Sequence, residues 1–197
     1  METKVYLIRH AQTDANLKKR YSGSMDICLN ATGKKQARRL YRRLKSESIV
    51  KVYSSDKKRA VETARITFCG RPVSKSPDLR EMHFGVFEGL NYKEMMKGHA
   101  SICKKWFKDP FSVTIPEGEN LRQVKRRVVR RIKKIVSENP GEAVAVVSHG
   151  GAISLLINHI LKTDDFWKYI PDSASLTVLE FNAGKADVCF FNDTSFL

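Results

Sequence analysis

The run Ala143–Val147 (AVAVV) carries no polar side chain on either of its alternating faces. A strand of that kind belongs at the centre of a sheet covered on both sides, the setting of parallel α/β sheets. The rest of the chain supplies neighbours and cover. Val5–Ile8 is a second short apolar run, and Ile49–Ser54 (IVKVYS) is a third. Ala37, Leu40, Tyr41 and Leu44 recur at helical spacing behind a capping Asn30, which predicts a helix to about Lys45. Leu121, Val124, Val128, Ile132 and Ile135 mark a longer helix that stops near Asn139-Pro140-Gly141. Lys57–Phe68 and Gly150–Leu161 read as two more helices. Leu176–Phe181 and Ala186–Phe191, joined by Asn182–Lys185, form a hairpin.

The expected fold is α/β: a three-layer α/β/α sandwich with a mainly parallel central sheet and an antiparallel C-terminal hairpin. The 197 residues contain no repeat and no linker, so residues 1–197 are expected to form one domain. Residues 70–119, proline-bearing and weakly periodic, read as a lid-like insertion of loops around a site rather than as core.

Composition narrows the function. Hydrophobic residues at 42% and charged residues at 29% exclude a wholly disordered chain. The net charge of +15 points to an anionic partner. Much of the excess sits in two basic runs, Lys34–Lys45 and Lys125–Lys134. Each has an apolar stripe against a core and a basic outer face, the pattern of a solvated surface. Neither run is interleaved with aromatics as a stacking platform for single strands requires, so no nucleic-acid partner is expected. Cys28, Cys69, Cys103 and Cys189 are scattered without a C-x-x-C pair, which leaves metal and redox motifs unsupported. No apolar run approaches the ~20 residues of a membrane span, and Arg9 interrupts the N-terminal stretch too early for a signal peptide. A cytoplasmic protein without membrane association is expected; the oligomeric state is left open.

Three candidate strands end in residues suited to phosphate. The first ends in Arg9-His10, the second in Tyr53-Ser54-Ser55 with a turn to Arg59, and the central one in Ser148-His149-Gly150-Gly151. Ligands of such sheets bind at the carboxyl ends of the strands. If the three lie side by side, two histidines and two arginines converge on one rim. Phosphoryl transfer needs that set: a nucleophile, and fixed positive charge around the equatorial oxygens.

The sequence also resembles a family. Arg9-His10-Ala11-Gln12-Thr13 with Asn16 looks like the R-H-G-x-T-x-x-N signature of the histidine phosphatases, the superfamily of cofactor-dependent phosphoglycerate mutase. Arg20-Tyr21-Ser22-Gly23 and the helix from Gly33 follow in the family's order. Tyr53–Ala64 resembles Y-S-S-x-x-x-R-A-x-x-T-A, and Leu79–Gly89 resembles L-x-E-x-x-F-G-x-x-E-G. Pro116–Glu119 is similar to P-x-G-E, and Ser148–Gly151 to the closing H-G-G.

The resemblance implies a phosphoglycerate mutase-like fold and a set of roles. His10 is the nucleophile that becomes phosphohistidine. Arg9, Arg59 and His149 hold the phosphoryl group, and Asn16 adds an amide donor. Glu81 gives a proton to the leaving oxygen and then activates water. Ser22, Gly23 and Gly150 contribute to substrate binding. Neutral imidazole is a competent nucleophile near pH 7, and a guanidinium fork suits phosphate oxygens. No cofactor and no metal are implied, since the arginines supply the charge, and His10, His83, His99, His149 and His159 show no zinc-ligand spacing.

Two departures stand out. Ala11 replaces the family's glycine, and Asp56-Lys57 stands where Pro-Leu is common; both are expected to be mild. In the mutases the acid block reads like E-R-H-Y-G, whereas this chain has Met82 and Phe84 at the Arg and Tyr positions. A chain without that second anion pocket should favour water as acceptor. The reading is therefore a metal-independent phosphomonoesterase acting on a small phosphorylated metabolite. Its compact block resembles the α-ribazole-5′-phosphate phosphatases of cobalamin synthesis, and also broad-specificity and phosphoserine phosphatases. Met82, Phe84, Val86, Phe87, Trp106 and Phe107 suggest a partly apolar approach to the phosphate. A phosphoglycerate mutase is the alternative within the class. A basic nucleic-acid or acidic-partner binding module on a retired phosphatase fold is the alternative outside it.

Overall fold

A computed structural model describes residues Met1–Leu197. The elements are β1 (Thr3–Arg9), α1 (Asp14–Leu17), α2 (Ala31–Leu44), β2 (Ile49–Ser55), α3 (Lys58–Thr67), β3 (Val73–Ser76), α4 (Tyr92–Lys108), α5 (Leu121–Ser137), β4 (Ala143–Ser148), α6 (Gly150–Leu161), β5 (Leu176–Asn182) and β6 (Lys185–Asp193). They build one six-stranded sheet in the order β3-β2-β4-β1-β5-β6. The apolar run does lie centrally, between β2 and β1 and parallel to both. β3 extends the parallel part, and the hairpin β5–β6 adds antiparallel strands beside β1.

Strand alternation sends side chains to two cores. Val5, Leu7, Val144 and Val146 pack against α5, α6 and α4. Tyr6, Ile8, Ala145 and Val147 pack against α2 and α3. This is the expected three-layer sandwich. Parallel pairing in register sets Arg9 opposite Ser148 and Ser54 opposite Val147, so β1, β4 and β2 end nearly level.

The helices begin where side chains satisfy their free N–H groups. Asn30 accepts from Gly33 N at 2.8 Å to open α2. Asn120 and Gln123 cap α5 reciprocally. In α2 the buried positions are Gly33, Ala37, Leu40 and Leu44. Tyr41, read above as part of that stripe, is instead 45% exposed. It follows Leu40 by one residue, about 100° round the helix, and so leaves the core face.

The middle section corrects the loop-rich expectation. Residues 70–119 contain β3 and the 17-residue α4, which opens on an Asn91/Glu94 capping box. Leu79, Met82, Phe87, Met95, Cys103, Trp106 and Ile115 from this section are fully buried in the larger core. Its two motif blocks pack on each other. A Cβ on Gly85 (φ +51°) would lie 1.9 Å from the Pro116 carbonyl oxygen, so only glycine fits.

Candidate active site

His10 follows β1, and its N–H donates to the Ser148 carbonyl at 2.9 Å, which extends the β1–β4 ladder by one residue. Its ring Nδ1–H donates to the Ala11 carbonyl at 2.8 Å. A carbonyl can only accept, so this bond fixes the tautomer and leaves the lone pair on Nε2. Arg59 Nε–H donates to that nitrogen at 3.3 Å. His149 follows β4 and lies edge-on to His10, with ring centroids 5.1 Å apart. The strand ends therefore bring the two histidines together.

Electrostatics here is set by burial. Desolvation, then the charges of Arg59 and Arg9, hold the His10 pKa well below its ordinary value of 6.5. Burial, then Arg59 and His10, do the same to His149. Burial also lowers the pKa values of both arginines. Both rings are thus neutral at physiological pH. Neither nitrogen of His149 has a protein partner, and neither does Arg9 Nε. These buried atoms sit around His10 and suit the oxygens of a phosphoryl group.

The remaining donors of Arg59 are engaged by one loop. Nη1 donates to the Met25 carbonyl at 2.7 Å, and Nη2 to those of Ser22 and Gly23 at 2.9 and 3.1 Å. The same loop is held from the other side by Glu88, whose carboxylate accepts from the N–H groups of Gly23, Ser24 and Phe84 at 2.8–3.1 Å. Ser22 lines the main pocket, while Gly23 faces the neighbouring one and its N–H is taken by Glu88. Asn16 lines the main pocket too; its Oδ1 accepts from Thr13 N and Oγ1, which leaves the amide NH2 free to donate.

Glu81 reaches the start of α6. Its carboxylate accepts from Gly151 N at 2.9 Å, Ala152 N at 3.2 Å and its neighbour Met82 N at 3.0 Å. The first turn of α6 thus fixes the Glu81 carboxyl group in place beside the histidines. Gly150 and Gly151 make the approach possible. A Cβ on Gly150 would stand 3.2 Å from Arg9 Cζ, and one on Gly151 would stand 2.6 Å from Glu81 Oε1. Ala11 fits because its N–H simply meets Thr63 Oγ1 at 3.0 Å and its φ is not positive. Asp56 bonds Arg80 Nε at 2.7 Å and Lys57 bonds the Ser24 carbonyl, so the altered turn ties down both catalytic segments.

The sequence reading missed Arg127. It lies in the basic run of α5 yet is largely buried, and it binds the backbone that carries Glu81. Its guanidinium donates to the carbonyls of Asp78, Arg80 and Glu81 at 2.6–3.1 Å and pairs with Glu119 at 2.9 Å. The P-x-G-E glutamate was its one sequence signal, as a buried acid that needs a cation. Also missed was the segment after α6, which brings Trp167, Ile170 and Asp172 to the pocket. The pocket encloses about 530 Å³. Of the six apolar residues suggested for its approach, Phe84 and Trp106 line it, with Tyr21 packed edge-on against both. Met82 and Phe87 are buried in the core instead.

Residues 5–194 match the Histidine phosphatase superfamily (branch 1). Phosphoglycerate mutase-like protein 4 of Arabidopsis thaliana is 38% identical over 77% of this chain and 68% of its own length. A metal-independent phosphoserine phosphatase of the same plant is 33% identical over 99% and 83%. The adenosylcobalamin/alpha-ribazole phosphatase of Escherichia coli K12 is 31% identical over 96% and 95%. Among solved structures, Bacillus stearothermophilus YhfR superposes with a TM-score of 0.92 at 30% identity and covers 98% of each chain. No helix is long and apolar enough to cross a membrane.

Proposed function

Because this chain belongs to the histidine phosphatase superfamily and is a phosphatase, we propose that it hydrolyses phosphomonoesters without a metal, through a phosphohistidine on Nε2 of His10. The observation that carries this is the His10 Nδ1–H bond to Ala11, which leaves the nucleophilic lone pair on Nε2, beside the Arg59 guanidinium, in a residue that lines the pocket. Nε2 attacks phosphorus, the bond to the leaving oxygen breaks, and that oxygen takes a proton from Glu81. Glu81 then takes a proton from water, whose oxygen bonds to phosphorus as the P–N bond returns its electrons to Nε2. Arg9 and His149 offer their unpartnered nitrogens to the equatorial oxygens, Asn16 adds its amide, and Arg59, whose donors are held by His10 and the loop, contributes its fixed charge. The whole chain serves as one catalytic domain, and residues 70–119 wall the pocket through Glu81, Phe84 and Trp106.

For the substrate we favour a small phosphorylated metabolite with a ring in its leaving group, such as α-ribazole 5′-phosphate. The aromatic wall and the name of the E. coli relative favour it. Mutase action is less well served. Arg20, the pocket cation nearest in sequence to the site loop, is already paired with Glu94 at 2.7 and 2.8 Å, and Asp172 sets a carboxylate on the rim. Of the pocket cations outside the catalytic set, that leaves exposed Lys19 alone to hold a second phosphate or a carboxylate.

The test is turnover of p-nitrophenyl phosphate in excess EDTA, with an acid-labile phosphoenzyme that disappears in His10→Ala. Absence of turnover on any phosphomonoester would sink the proposal. Ranking α-ribazole phosphate, phosphoserine and the phosphoglycerates by kcat/KM then separates the substrates, and 2,3-bisphosphoglycerate-stimulated transfer would identify a mutase.

A further inference from the structure

The two basic helices are not equivalent. Along α5, Lys125, Arg127, Arg130 and Lys134 meet carboxylates of Asp164, Glu119, Asp78 and Glu138. On the α2 side, seven Lys or Arg residues lie between Lys34 and Lys45. Only Arg43 of these meets an acid, Glu47 at 3.2 Å. No Asp or Glu lies between Ala31 and Ser46.

That pattern works against the helix itself. Lys34–Arg38, Lys35–Arg39, Arg38–Arg42 and Arg39–Arg43 are like charges four residues apart, which is unfavourable. Lys34 and Lys35 stand near the N-terminus, where the macrodipole disfavours cations, and the first turn holds no acid. Solubility alone is served as well by interspersed signs. At one edge of this face, on the flank shared by Lys34, Arg38 and Lys45, stands the exposed ring of Tyr41.

We propose that the outer face of α2 docks the sugar–phosphate backbone of a single-stranded nucleic acid. Lys34, Arg38, Arg42 and Lys45, which share the flank of Tyr41, contact phosphates, and Tyr41 stacks on a base. Guanidinium forks match phosphate oxygens, and an aromatic ring among cations is the element whose absence first argued against such a partner. Lys34 to Lys45 spans about 16 Å of helix, long enough to follow several phosphates. An anionic membrane is a poorer fit, because Tyr41 is the only large apolar side chain that α2 exposes. None of these residues lines the catalytic pocket.

The probe is a fluorescein-labelled 20-mer of oligouridylate, titrated with the full chain by fluorescence anisotropy. Wild type is expected to bind at 50 mM salt and to weaken steeply by 200 mM. Arg38→Glu with Arg42→Glu is expected to weaken binding at least tenfold and to reduce the log–log salt slope by about 1.4, at ~0.7 per lost phosphate contact. Tyr41→Ala weakens binding with the slope unchanged. Turnover of p-nitrophenyl phosphate stays at the wild-type level in these variants, which reports an intact fold. Arg126→Glu with Lys133→Glu on α5 is expected to change binding less than about threefold. The proposal is overturned if wild type shows no salt-dependent binding at 50 mM, or if the α5 reversal removes as much binding as the α2 reversal. Binding to phosphatidylserine vesicles but not to the oligonucleotide would likewise overturn it.

Discussion

Arg59 donates its Nε–H to Nε2 of His10 at 3.3 Å, so the group that attacks phosphorus rests against a fixed positive charge. Burial first, and then that charge, hold the imidazole pKa well below 6.5. Nucleophilic attack needs the neutral ring, so His10 should impose no loss of kcat/KM as pH falls through 6.5. In Arg59→Gln the positive charge is gone and the His10 pKa rises toward its ordinary value. The acid limb of the pH profile is expected to move to higher pH, with kcat lowered by about 10²-fold or more. A lowered kcat with an unmoved limb would mean that Arg59 does not tune His10.

The same burial makes stability depend on pH. His10 and His149 bind fewer protons folded than unfolded, because both folded pKa values lie well below 6.5. Their contribution is complete above pH 6.5 and is lost as pH falls below it, by up to about 1.4 kcal/mol per pH unit for each ring. Denaturant unfolding at pH 7.5 and 5.5 should show this loss. His149→Gln should reduce the difference by up to about 1.4 kcal/mol. An equal pH dependence in the variant would remove His149 from the account.

Arg127 is expected to matter to catalysis without touching substrate. Its guanidinium holds the carbonyls of Asp78, Arg80 and Glu81. Arg127→Ala should destabilise the protein by about 2–3 kcal/mol, since Glu119 loses its partner in a half-buried setting. At a temperature where the variant is folded, kcat should fall at least tenfold with little change in KM, because Glu81 shifts while the phosphate site stays. Arg127→Lys should recover part of the stability but little of kcat, as an ammonium cannot span three carbonyls.

The strand ends were legible because apolar runs and the residues after them are local signals: Ile8 leads to Arg9-His10, and Val147 to Ser148-His149. The middle section was not, for physical reasons that differ by element. Met95, Ile102, Cys103 and Trp106 repeat as a helix does, but α4 is interrupted at His99 (φ −140°, ψ 39°), so its period is broken. β3 (VSKS) offers one apolar residue and pairs only at the sheet edge. Arg127 looked like its solvated neighbours, since what sets it apart is a contact with backbone some forty-six residues earlier. Trp167 and Asp172 lie in a segment with no periodicity, and only the fold brings them to the pocket.

Those two residues should set the choice of leaving group. Trp167 is 38% exposed at the pocket mouth and stacks on Phe107 with centroids 5.1 Å apart. Trp167→Ala should raise KM for aryl and nucleoside-like phosphates about five- to tenfold, the loss of one stacking face. It should leave small aliphatic phosphates nearly unaffected. Asp172→Asn should improve kcat/KM for phosphoglycerates by about two- to threefold, the modest effect of removing one exposed like charge. Equal changes across all substrates would assign both residues to structure alone.

Gly151→Ala separates folding from catalysis. Alanine is the better helix former by up to about 1 kcal/mol, so replacing a glycine in the first turn of α6 should leave thermal stability equal or higher. The added methyl would meet Glu81 Oε1 at 2.6 Å and its Cδ at 3.3 Å. The carboxylate must therefore move, and it gives up the Gly151 N–H bond as it does so. Proton transfer to the leaving oxygen needs Glu81 within hydrogen-bond reach of it, so kcat should fall at least tenfold. An aryl leaving group of low pKa needs less protonation, and the deficit on p-nitrophenyl phosphate should be smaller than on an alkyl phosphate. Parallel assays on the two esters, beside a melting curve, check the expectation; a melting temperature that drops with activity would show that the glycine serves packing instead.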